Sequence, residues 1–305
     1  MAAALALTAA LALSGCSFMN PLTYAHAEQY SVGNAELAET IEAVEIDWSS
    51  GSVHVLTHAE NTFLLTEKTG SGISDDLRMH WWLDGTTLRV RFAKSGTNLW
   101  LFHEGHKDLT LTVPESVSLR EIVIRSASAE ISAENLTAET LGVSTVSGDM
   151  SIGCAANAVR LNSASGDIAL TQSGESGEIG IETASGKIQA ELSRAGRVEL
   201  KSASGKIGLS AALVDALAVK STSGAVSCGL EAAPSECTLR AVSGSIALIL
   251  PDAPDFTARI RTTSGDFESE FAMKKEGNRY ISGSGSGSGN FDIETTSGDI
   301  SIRKR

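Results

Sequence analysis

The stretch that decides the fold is Thr145-Val146-Ser147-Gly148-Asp149-Met150-Ser151-Ile152, because the chain repeats it. It returns as Ser163-Ala164-Ser165-Gly166-Asp167-Ile168-Ala169-Leu170, and again around Gly186, Gly205, Gly224, Gly244, Gly265 and Gly298. A degenerate copy lies at 126–131, where Ala129 takes the place of the glycine. Successive copies are 19, 18, 20, 19, 19, 20, 21 and 33 residues apart. A nearly constant period of about 20 residues is typical of a stacked repeat architecture.

Within each copy, apolar residues recur at every second position. Five positions before the corner residue stand Ile124, Val143, Leu161, Ile181, Leu200, Val219, Leu239, Ile260 and Ile293. Two positions after it stand Ile131, Met150, Ile168, Ile188, Ile207, Val226, Ile246, Phe267 and Ile300. A period of two belongs to a β-strand and not to a helix. Each repeat is therefore predicted to be a short strand, a Ser-Gly corner and a second short strand, with the apolar positions facing inward.

The corner has two further regular features. Glycine is predicted there because a tight bend often needs a positive φ, which other residues adopt at a cost. Ser precedes the corner in all nine copies, and Ser or Thr stands three positions before it in all but the one with Ala241. We expect these hydroxyls to form hydrogen-bonded ladders from coil to coil.

These patterns predict an all-β fold, a single-stack β-solenoid with coils of about 20 residues. One repeat cannot bury its own apolar face, so neighbouring coils must cover one another. An immunoglobulin-like sandwich also has short strands at regular turn spacing. Its strands, however, do not repeat one eight-residue phrase at a constant interval, so the sequence favours the solenoid. Coils stacked at about 4.8 Å would place the nine corners from Ala129 to Gly298 over about 40 Å.

The first residues resemble a bacterial lipoprotein signal peptide. An apolar run reaches Leu13 and is followed by Ser14-Gly15-Cys16, which is similar to a lipobox. In lipoproteins the cysteine becomes the mature N-terminus and carries acyl chains, so residues 1–15 are predicted to be removed and Cys16 to hold the chain on the bilayer. No Lys or Arg precedes the run, which departs from the basic start of signal peptides. The alternative is a chance occurrence in an apolar tail.

The next two regions differ in pattern. Residues 16–40 show no strand pattern and are predicted to be a tether between lipid and domain. Residues 41–118 are predicted to form an N-terminal coil, hairpin and cap region. That region contains a coil over 42–55 with Gly51 at its corner, strands at 62–67 and 108–113, and a hairpin of 79–83 with 88–92 joined at Asp84-Gly85.

The regular coils occupy 119–305, and two features within them need separate comment. The last interval of 33 residues contains a Ser-Gly tract from Ser282 to Gly289, predicted to be a flexible loop. Cys228 and Cys237 both fall on inward positions. They are either small buried hydrophobes or, in an oxidising exterior, a disulfide, and the sequence leaves both open.

The net charge of −13 weighs against nucleic acid as a partner, because its phosphates attract Lys and Arg. Glu130, Asp149 and Asp167 follow successive corners and could attract a hard cation, but a solvated turn edge is the favoured interpretation. His103 and His106 form a weak pair without the metalloprotease motif. The sequence predicts no metal site and no cofactor.

The four tryptophans lie early in the chain, at Trp48, Trp81, Trp82 and Trp100, with Phe102 beside the last. An exposed group of such rings would stack on sugars or contact a protein. The alternative is a cap that covers the open end of the solenoid. Trp48 sits at an inward position, which favours the cap for that residue. Trp81, Trp82, Trp100 and Phe102 are therefore the candidate binding residues, and adjacent Trp81 and Trp82 must face opposite sides of their strand.

With these residues in view, the chain resembles the bacterial putative-adhesin family of unknown function. The resemblance rests on Ile46-Asp47-Trp48-Ser49-Ser50-Gly51-Ser52-Val53, on the repeated Ser-Gly-Asp/Lys-Ile phrase, and on Ile293-Glu294-Thr295-Thr296-Ser297-Gly298-Asp299-Ile300. It covers residues 42–305. The resemblance implies an extracytoplasmic, envelope-associated binding protein and supplies no catalytic residues.

Three functions remain to be weighed. The favoured one is a lipid-anchored, non-catalytic binding or scaffolding module whose partner is an envelope protein or glycan. The second is an envelope-stress or signalling accessory that docks a membrane partner. The third, a polysaccharide-active enzyme, needs clustered acids in a groove, and the outward positions show no such concentration.

Overall fold

A computed structural model describes residues 22–98, 107–252, 254–283 and 289–305 of the chain. Within them the fold is almost entirely β, as predicted. The helical segments are two short 3-10 helices, Ala27–Gln29 and Asp75–Leu77. None of the described helices has the length and hydropathy needed to cross a bilayer.

The strands fall into three groups along the chain. The first group is β1 Ser31–Val32, β2 Ala35–Leu37, β3 Ala43–Trp48, β4 Ser52–His58, β5 Phe63–Lys68, β6 His80–Asp84, β7 Thr87–Arg91 and β8 Asp108–Pro114. The regular coils use β9 Leu119–Ser126, β10 Glu130–Thr145, β11 Met150–Ser163, β12 Ile168–Thr183, β13 Ile188–Ser202, β14 Ile207–Ser221, β15 Val226–Leu230, β16 Glu236–Ala241 and β17 Ile246–Leu250. The last group is β18 Phe256–Thr262, β19 Phe267–Ser269, β20 Met273–Glu276, β21 Arg279–Ser282, β22 Gly289–Thr295 and β23 Ile300–Lys304.

The strands form two stacks around one core. The pre-corner stack contains the strand before each Ser-Gly corner, and the post-corner stack contains the strand after it. Parallel pairing runs through both, with Ile181 opposite Leu200 in the first and Ile188 opposite Ile207 in the second. The predicted inward positions are buried in one continuous hydrophobic cluster, except Ile260 and Phe267 of the outermost coil, which are half-buried. The solenoid and the period-two pattern are thus confirmed.

The coil at each end of the stack is out of chain order. The coil β3–β4 lies between the strands β7 and β8 on one side and β9 and β10 on the other. At the far end, β22–β23 lies between β16–β17 and β18–β19. The outermost full coil is therefore that of Gly265, and the final segment of the chain is one layer inside it.

The corner glycines are needed for a different reason from the one predicted. From Gly148 to Gly298 their φ values lie outside the left-handed region, whereas Gly51 has φ 89°. A Cβ on Gly186 would come closer than 3.0 Å to the carbonyl oxygen of Gly166 in the preceding coil, and the other corner glycines show the same close approach. The expectation of a positive φ was wrong for these corners, because the constraint comes from the neighbouring coil.

The predicted hydroxyl ladders are also partly wrong. The hydroxyl three residues before a corner accepts a hydrogen bond from that corner's own N–H, at 2.8 Å between Gly166 N and Ser163 Oγ. Bonds from coil to coil come mainly from the backbone and from the acidic residue after the corner, although the serine before the corner also reaches the preceding coil, with Ser165 Oγ donating to Val146 O at 3.3 Å. Asp149 Oδ1 accepts from the Asp167 N–H at 2.8 Å, and Asp167 Oδ1 accepts from the Lys187 N–H at 2.7 Å. Threonine does link coils at the far end, where Thr295 Oγ1 donates to Gly244 O at 3.0 Å.

Both ends of the stack finish in short antiparallel strands. At the start, β6 and β1 follow β7 in the pre-corner stack, and β5 and β2 follow β8 in the other. These pairings confirm the predicted hairpin and the strands at 62–67 and 108–113. At the far end, β20 and β21 form a hairpin over 273–282 on β18, which accounts for most of the length by which the last interval exceeds the usual period of about 20 residues. The Ser-Gly tract lies mostly outside the described residues.

The described part of the predicted tether, residues 22–40, belongs to the domain and is not a free linker. Residues 22–32 form a strap that lies on the domain, with Leu22 N donating to Thr97 O at 3.0 Å and β1 pairing with β6. The strands β1 and β2 were missed because two or three residues cannot show a period. Cys16 and residues 1–21 lie outside the described residues.

We predict that Gly186→Ala destabilises the chain by about 1–3 kcal/mol, because the added methyl group overlaps the Gly166 carbonyl and the coils must separate. Gly180→Ala is the matched control in the same coil, since its Cβ would lie 4.0 Å from Val159 O, its nearest neighbour in the adjacent coil. It should change stability by less than about 1 kcal/mol. Urea melts of both variants measure this, and equal midpoints would contradict the close-approach explanation.

Candidate binding surface

Two of the four predicted binding residues lie within the described chain. Trp81 and Trp82 are both on β6, whereas Trp100 and Phe102 lie outside the described residues. In the pairing with β7, Trp81 is opposite the buried Val90 and Trp82 is opposite the outward Arg89. Opposite residues share a face, so Trp81 points inward and Trp82 outward. Trp81 packs half-buried against the core, in agreement with the predicted division of the pair.

Trp82 belongs to a group of rings that the strap completes. Its ring centroid lies 5.7 Å from that of Tyr30 and 5.7 Å from that of His26. Tyr24 and Tyr30 are 4.7 Å apart. We call Tyr24, His26, Tyr30 and Trp82 the aromatic surface. The two tyrosines and Trp82 are half-buried, and the His26 side chain is 66% exposed.

The strap residues were missed by sequence reasoning. They lie in a stretch without periodicity, so they were assigned to a tether. A signal was available, because Tyr24 and Tyr30 are two of the three tyrosines in the chain and a solvated linker is usually poor in aromatics. Tyr24 is held in place by its hydroxyl, which donates to Ala93 O at 3.1 Å. Burial raises the pKa of both tyrosines, so they stay neutral in ordinary solution.

A network of ion pairs lies next to the aromatic surface. Arg91, whose guanidinium lies 5.8 Å from the Tyr24 ring centre, pairs with Glu45 at 2.8 Å and with Asp47 at 3.0 Å. Arg89 also pairs with Glu45, and Arg125 contacts both acids. Burial by itself would raise the pKa of Glu45, but Arg91 and Arg89 outweigh it and lower that pKa. The network fixes β7, β3 and β9 side by side under the rings.

A buried ion pair lies in the core at this end of the stack. Lys107 Nζ lies 2.8 Å from Glu67 Oε1, and neither side chain is exposed. Lys107 also donates to Leu77 O at 2.7 Å and to Phe92 O, and its ammonium faces the rings of Phe92 and Trp48. Desolvation lowers the pKa of Lys107 to about 8, against the opposing attraction of Glu67. Trp48 lies beside this buried pair, and its Nε1 donates to Lys107 O at 3.1 Å. Its inward position agrees with the prediction that Trp48 covers the end of the core.

The other sequence candidates have structural explanations. Cys228 and Cys237 are free, buried thiols and not a disulfide, so of the two alternatives the structure shows small core residues. Burial raises the pKa of Cys228 to about 12, which keeps that thiol protonated. Of the three acids after successive corners, Asp149 and Asp167 accept hydrogen bonds from the backbone of the next coil. Within the described residues, no three His, Cys, Asp or Glu side chains are grouped to hold a metal, and His103 and His106 lie outside them.

The fold and surface define a two-stack β-solenoid that finishes in short antiparallel strands at both ends, with the aromatic surface at one of them. The Toastrack DUF4097 family model matches residues 41–176 and 153–303, so the chain belongs to the Toastrack DUF4097 family. The resemblance inferred from the repeated phrase is thereby confirmed.

Two solved structures are similar to this chain over most of its length. One is described as a putative cell adhesion protein from Clostridium sporogenes, with 10% identity, a TM-score of 0.31, and coverage of 90% of this chain and 100% of its own. The other is described as a putative adhesin from Bacteroides fragilis, with 13% identity, a TM-score of 0.34, and coverage of 90% and 97%. A search of curated proteins gives no match. Inference about function therefore rests on the residues of this chain.

We predict that Lys107→Met lowers the free energy of unfolding by about 3 kcal/mol, because the buried Glu67 carboxylate loses its nearer countercharge and keeps only Arg78, whose Nε lies 3.5 Å from Glu67 Oε2. The double variant Lys107→Met/Glu67→Gln should be more stable than this single variant. The Gln side chain is neutral and can still accept from the Met79 N–H, now 2.7 Å from Glu67 Oε1. Denaturant melts of the cycle give the coupling, and a double variant no better than Lys107→Met would contradict it.

The same pair predicts a pH dependence. The pKa of Lys107 is about 8 in the folded chain, below the ordinary 10.5, so between these values the unfolded chain binds more protons. Wild type should therefore gain stability relative to Lys107→Met as the pH rises from 8 towards 10.5. Melts of both proteins across this range measure the difference, and a constant difference would contradict the lowered pKa.

Proposed function

We propose that the chain is a non-catalytic binding or scaffolding module of the bacterial cell envelope. In this proposal an acylated Cys16 holds it on the membrane, and the aromatic surface contacts a partner protein or glycan. Trp100 and Phe102, in the segment between β7 and β8, are proposed to extend the same contact.

The observation that carries the proposal is the segregation of aromatic residues to the ends of the solenoid. Residues 103–255 contain no Trp, Tyr or Phe, although the chain has 4, 3 and 8 of them. The outward rows of the central coils instead carry small and charged side chains, such as Ser151, Ala169 and Gly208. Binding energy at interfaces is concentrated in Trp, Tyr and Arg. The end with Tyr24, Tyr30 and Trp82 offers these residue types together.

The short tether supports a partner close to the membrane. Because the strap begins at Leu22, six residue steps separate it from Cys16, and an extended chain of that length spans about 20 Å. A tether that ran to residue 40 would have allowed about 80 Å. If Cys16 is acylated, the aromatic surface stays within a few nanometres of the bilayer. This favours, as a second candidate function, an accessory that docks the extracytoplasmic part of a membrane protein.

We predict that wild type, expressed with a complete signal peptide, enters the detergent phase in a phase-separation assay, whereas Cys16→Ala stays in the aqueous phase. The reason is that two or three acyl chains anchor a protein stably, while the acidic body has no attraction for anionic lipid. Wild type recovered from the aqueous phase would contradict the anchor.

We predict that Trp82→Ala/Tyr30→Ala weakens capture of an envelope partner more than about tenfold, because truncating interface aromatics typically costs at least 1–2 kcal/mol. Tyr280→Ala is the matched control, since Tyr280 packs on Phe267 at the opposite end of the stack. Binding is measured by pull-down from solubilised envelopes and on a glycan array, with a Trp100→Ala/Phe102→Ala variant in parallel.

Melting curves establish that each variant is folded before binding is compared. Equal binding by wild type and both aromatic variants would move the contact to the coils. Loss of binding in Tyr280→Ala alone would move it to the far end. Formation of product from any glycan would contradict the non-catalytic assignment.

A further inference from the structure

In the out-of-order coils at the two ends, acidic residues face arginines on both sides, whereas Glu178 and Glu182 of the central strand β12 face basic residues on one side only. The inserted strand β3 presents Glu45 and Asp47 outward, and the inserted strand β22 presents Asp292 and Glu294. The flanking strands present arginines. These are Arg89 and Arg91 on β7, Arg125 on β9, Arg240 on β16, and Arg259 and Arg261 on β18.

The register sets opposite charges against one another on both sides of each inserted strand. Asp47 is directly opposite Arg91 and Arg125, with ion pairs of 3.0 and 3.2 Å. Glu294 is directly opposite Arg240 and Arg261, and its pair with Arg261 is 2.8 Å. Asp292 adds contacts to Arg240 at 2.9 Å and to Arg261 at 3.7 Å. The two ends are thus built alike.

If the coils were stacked in chain order, these contacts between opposite charges would be replaced by contacts between like charges. Because Glu294 is in register with both neighbours, removing β22 and closing the gap would place Arg240 directly opposite Arg261. Removing β3 would likewise place Arg91 opposite Arg125. Like charges directly opposite one another on a sheet are destabilising. The inward residues discriminate less, since apolar residues recur at the same positions in every coil, although Phe256 of β18 does stack on Phe291 of β22 at 4.6 Å.

We propose that charge matching, and not chain order, decides which coil stacks on which at both ends of the solenoid. The acidic coils β3–β4 and β22–β23 act as clasps that close between two arginine-bearing strands. The fold of the far end is then completed late, because β18–β19 finds its partner strands when residues 289–304 are in place.

Engineered cysteine pairs test the order directly. In the Cys16→Ala chain the three remaining native cysteines are buried, so added surface thiols can be followed. Glu236→Cys/Asn290→Cys joins directly opposite residues of β16 and β22 and should form a disulfide. Glu236→Cys/Thr257→Cys should not form a disulfide, because Asn290 lies between the two positions. If the coils were stacked in chain order, residues 236 and 257 would be neighbours and this second disulfide would form.

The charges are then reversed with Asp292→Arg/Glu294→Arg. We expect the 236–290 disulfide to be lost and the melting temperature to fall. Adding Arg240→Glu, Arg259→Glu and Arg261→Glu to that variant should restore both, because Arg259 is directly opposite residue 292. The matched control is Glu178→Arg/Glu182→Arg on β12, which makes the same change of charge in a central coil and should keep the 236–290 disulfide.

Two results would overturn the clasp. One is a reversal variant that forms the 236–290 disulfide as wild type does. The other is a fivefold charge swap that fails to restore it, which would show that the acidic residues act through something other than the facing arginines. The fivefold swap keeps the test decisive even if the reversal variant does not fold.

Discussion

The structure depends on the close approach of each corner glycine to the carbonyl group of the corner one coil earlier. At Gly186 there is no room for a Cβ above the Gly166 carbonyl, and the same holds at Gly166 above Gly148. Each corner glycine therefore accommodates the carbonyl group of the preceding corner. Its own carbonyl group then requires a glycine at the next corner, so the requirement repeats from coil to coil. Ala129 can start the series because it lies over Gly51, whose φ of 89° gives that corner a different backbone. The remaining corner bonds follow from this contact, since it sets the coils close enough for Asp149 to reach the next N–H.

A motif that propagates itself needs a means of stopping. The edge strands β1, β2, β19 and β20 are two to four residues long, and three of the four are antiparallel to their neighbours. Short edge strands offer little to a further chain that seeks to pair. The inserted coils add a second safeguard, because the outermost layers are supported from inside by segments distant in sequence. Growth of the stack end to end is therefore opposed by its own topology.

The sequence predicted what repeats and failed where a single element decides. The inward positions, the corner at Gly51 and the hairpin of β6 and β7 all follow from local pattern, which the period of two makes visible. The reason for the corner glycines could not be predicted from this pattern. A close approach between coils and a turn with positive φ both require glycine, so the sequence is the same in either case. The insertion of β22 between β16 and β18 could not be predicted either, since apolar residues recur at the same positions in every coil. For the candidate site, the outward direction of Trp82 followed from its neighbour Trp81. The contribution of Tyr24 and Tyr30 did not, because the strap has no periodicity and is positioned by single hydrogen bonds to residues such as Ala93 and Thr97.

The same constraint limits where a Toastrack coil can carry function. A central coil has its inward residues set by the core and its corner set by the preceding carbonyl, and at Asp149 and Asp167 the acid after the corner accepts from the next N–H. What remains is an outward row whose neighbours lie about 4.8 Å away, where small side chains and alternating charges fit most easily. Large rings are excluded from the coil interior between residues 103 and 255 and reappear where antiparallel strands and the strap relax the repeat. Because Arg91 both joins the clasp at Asp47 and lies beside Tyr24, the end that stops the stack and the end that offers aromatic contacts are one structure. Substitutions that loosen β3 should therefore disturb the aromatic surface as well, even though they touch none of its rings.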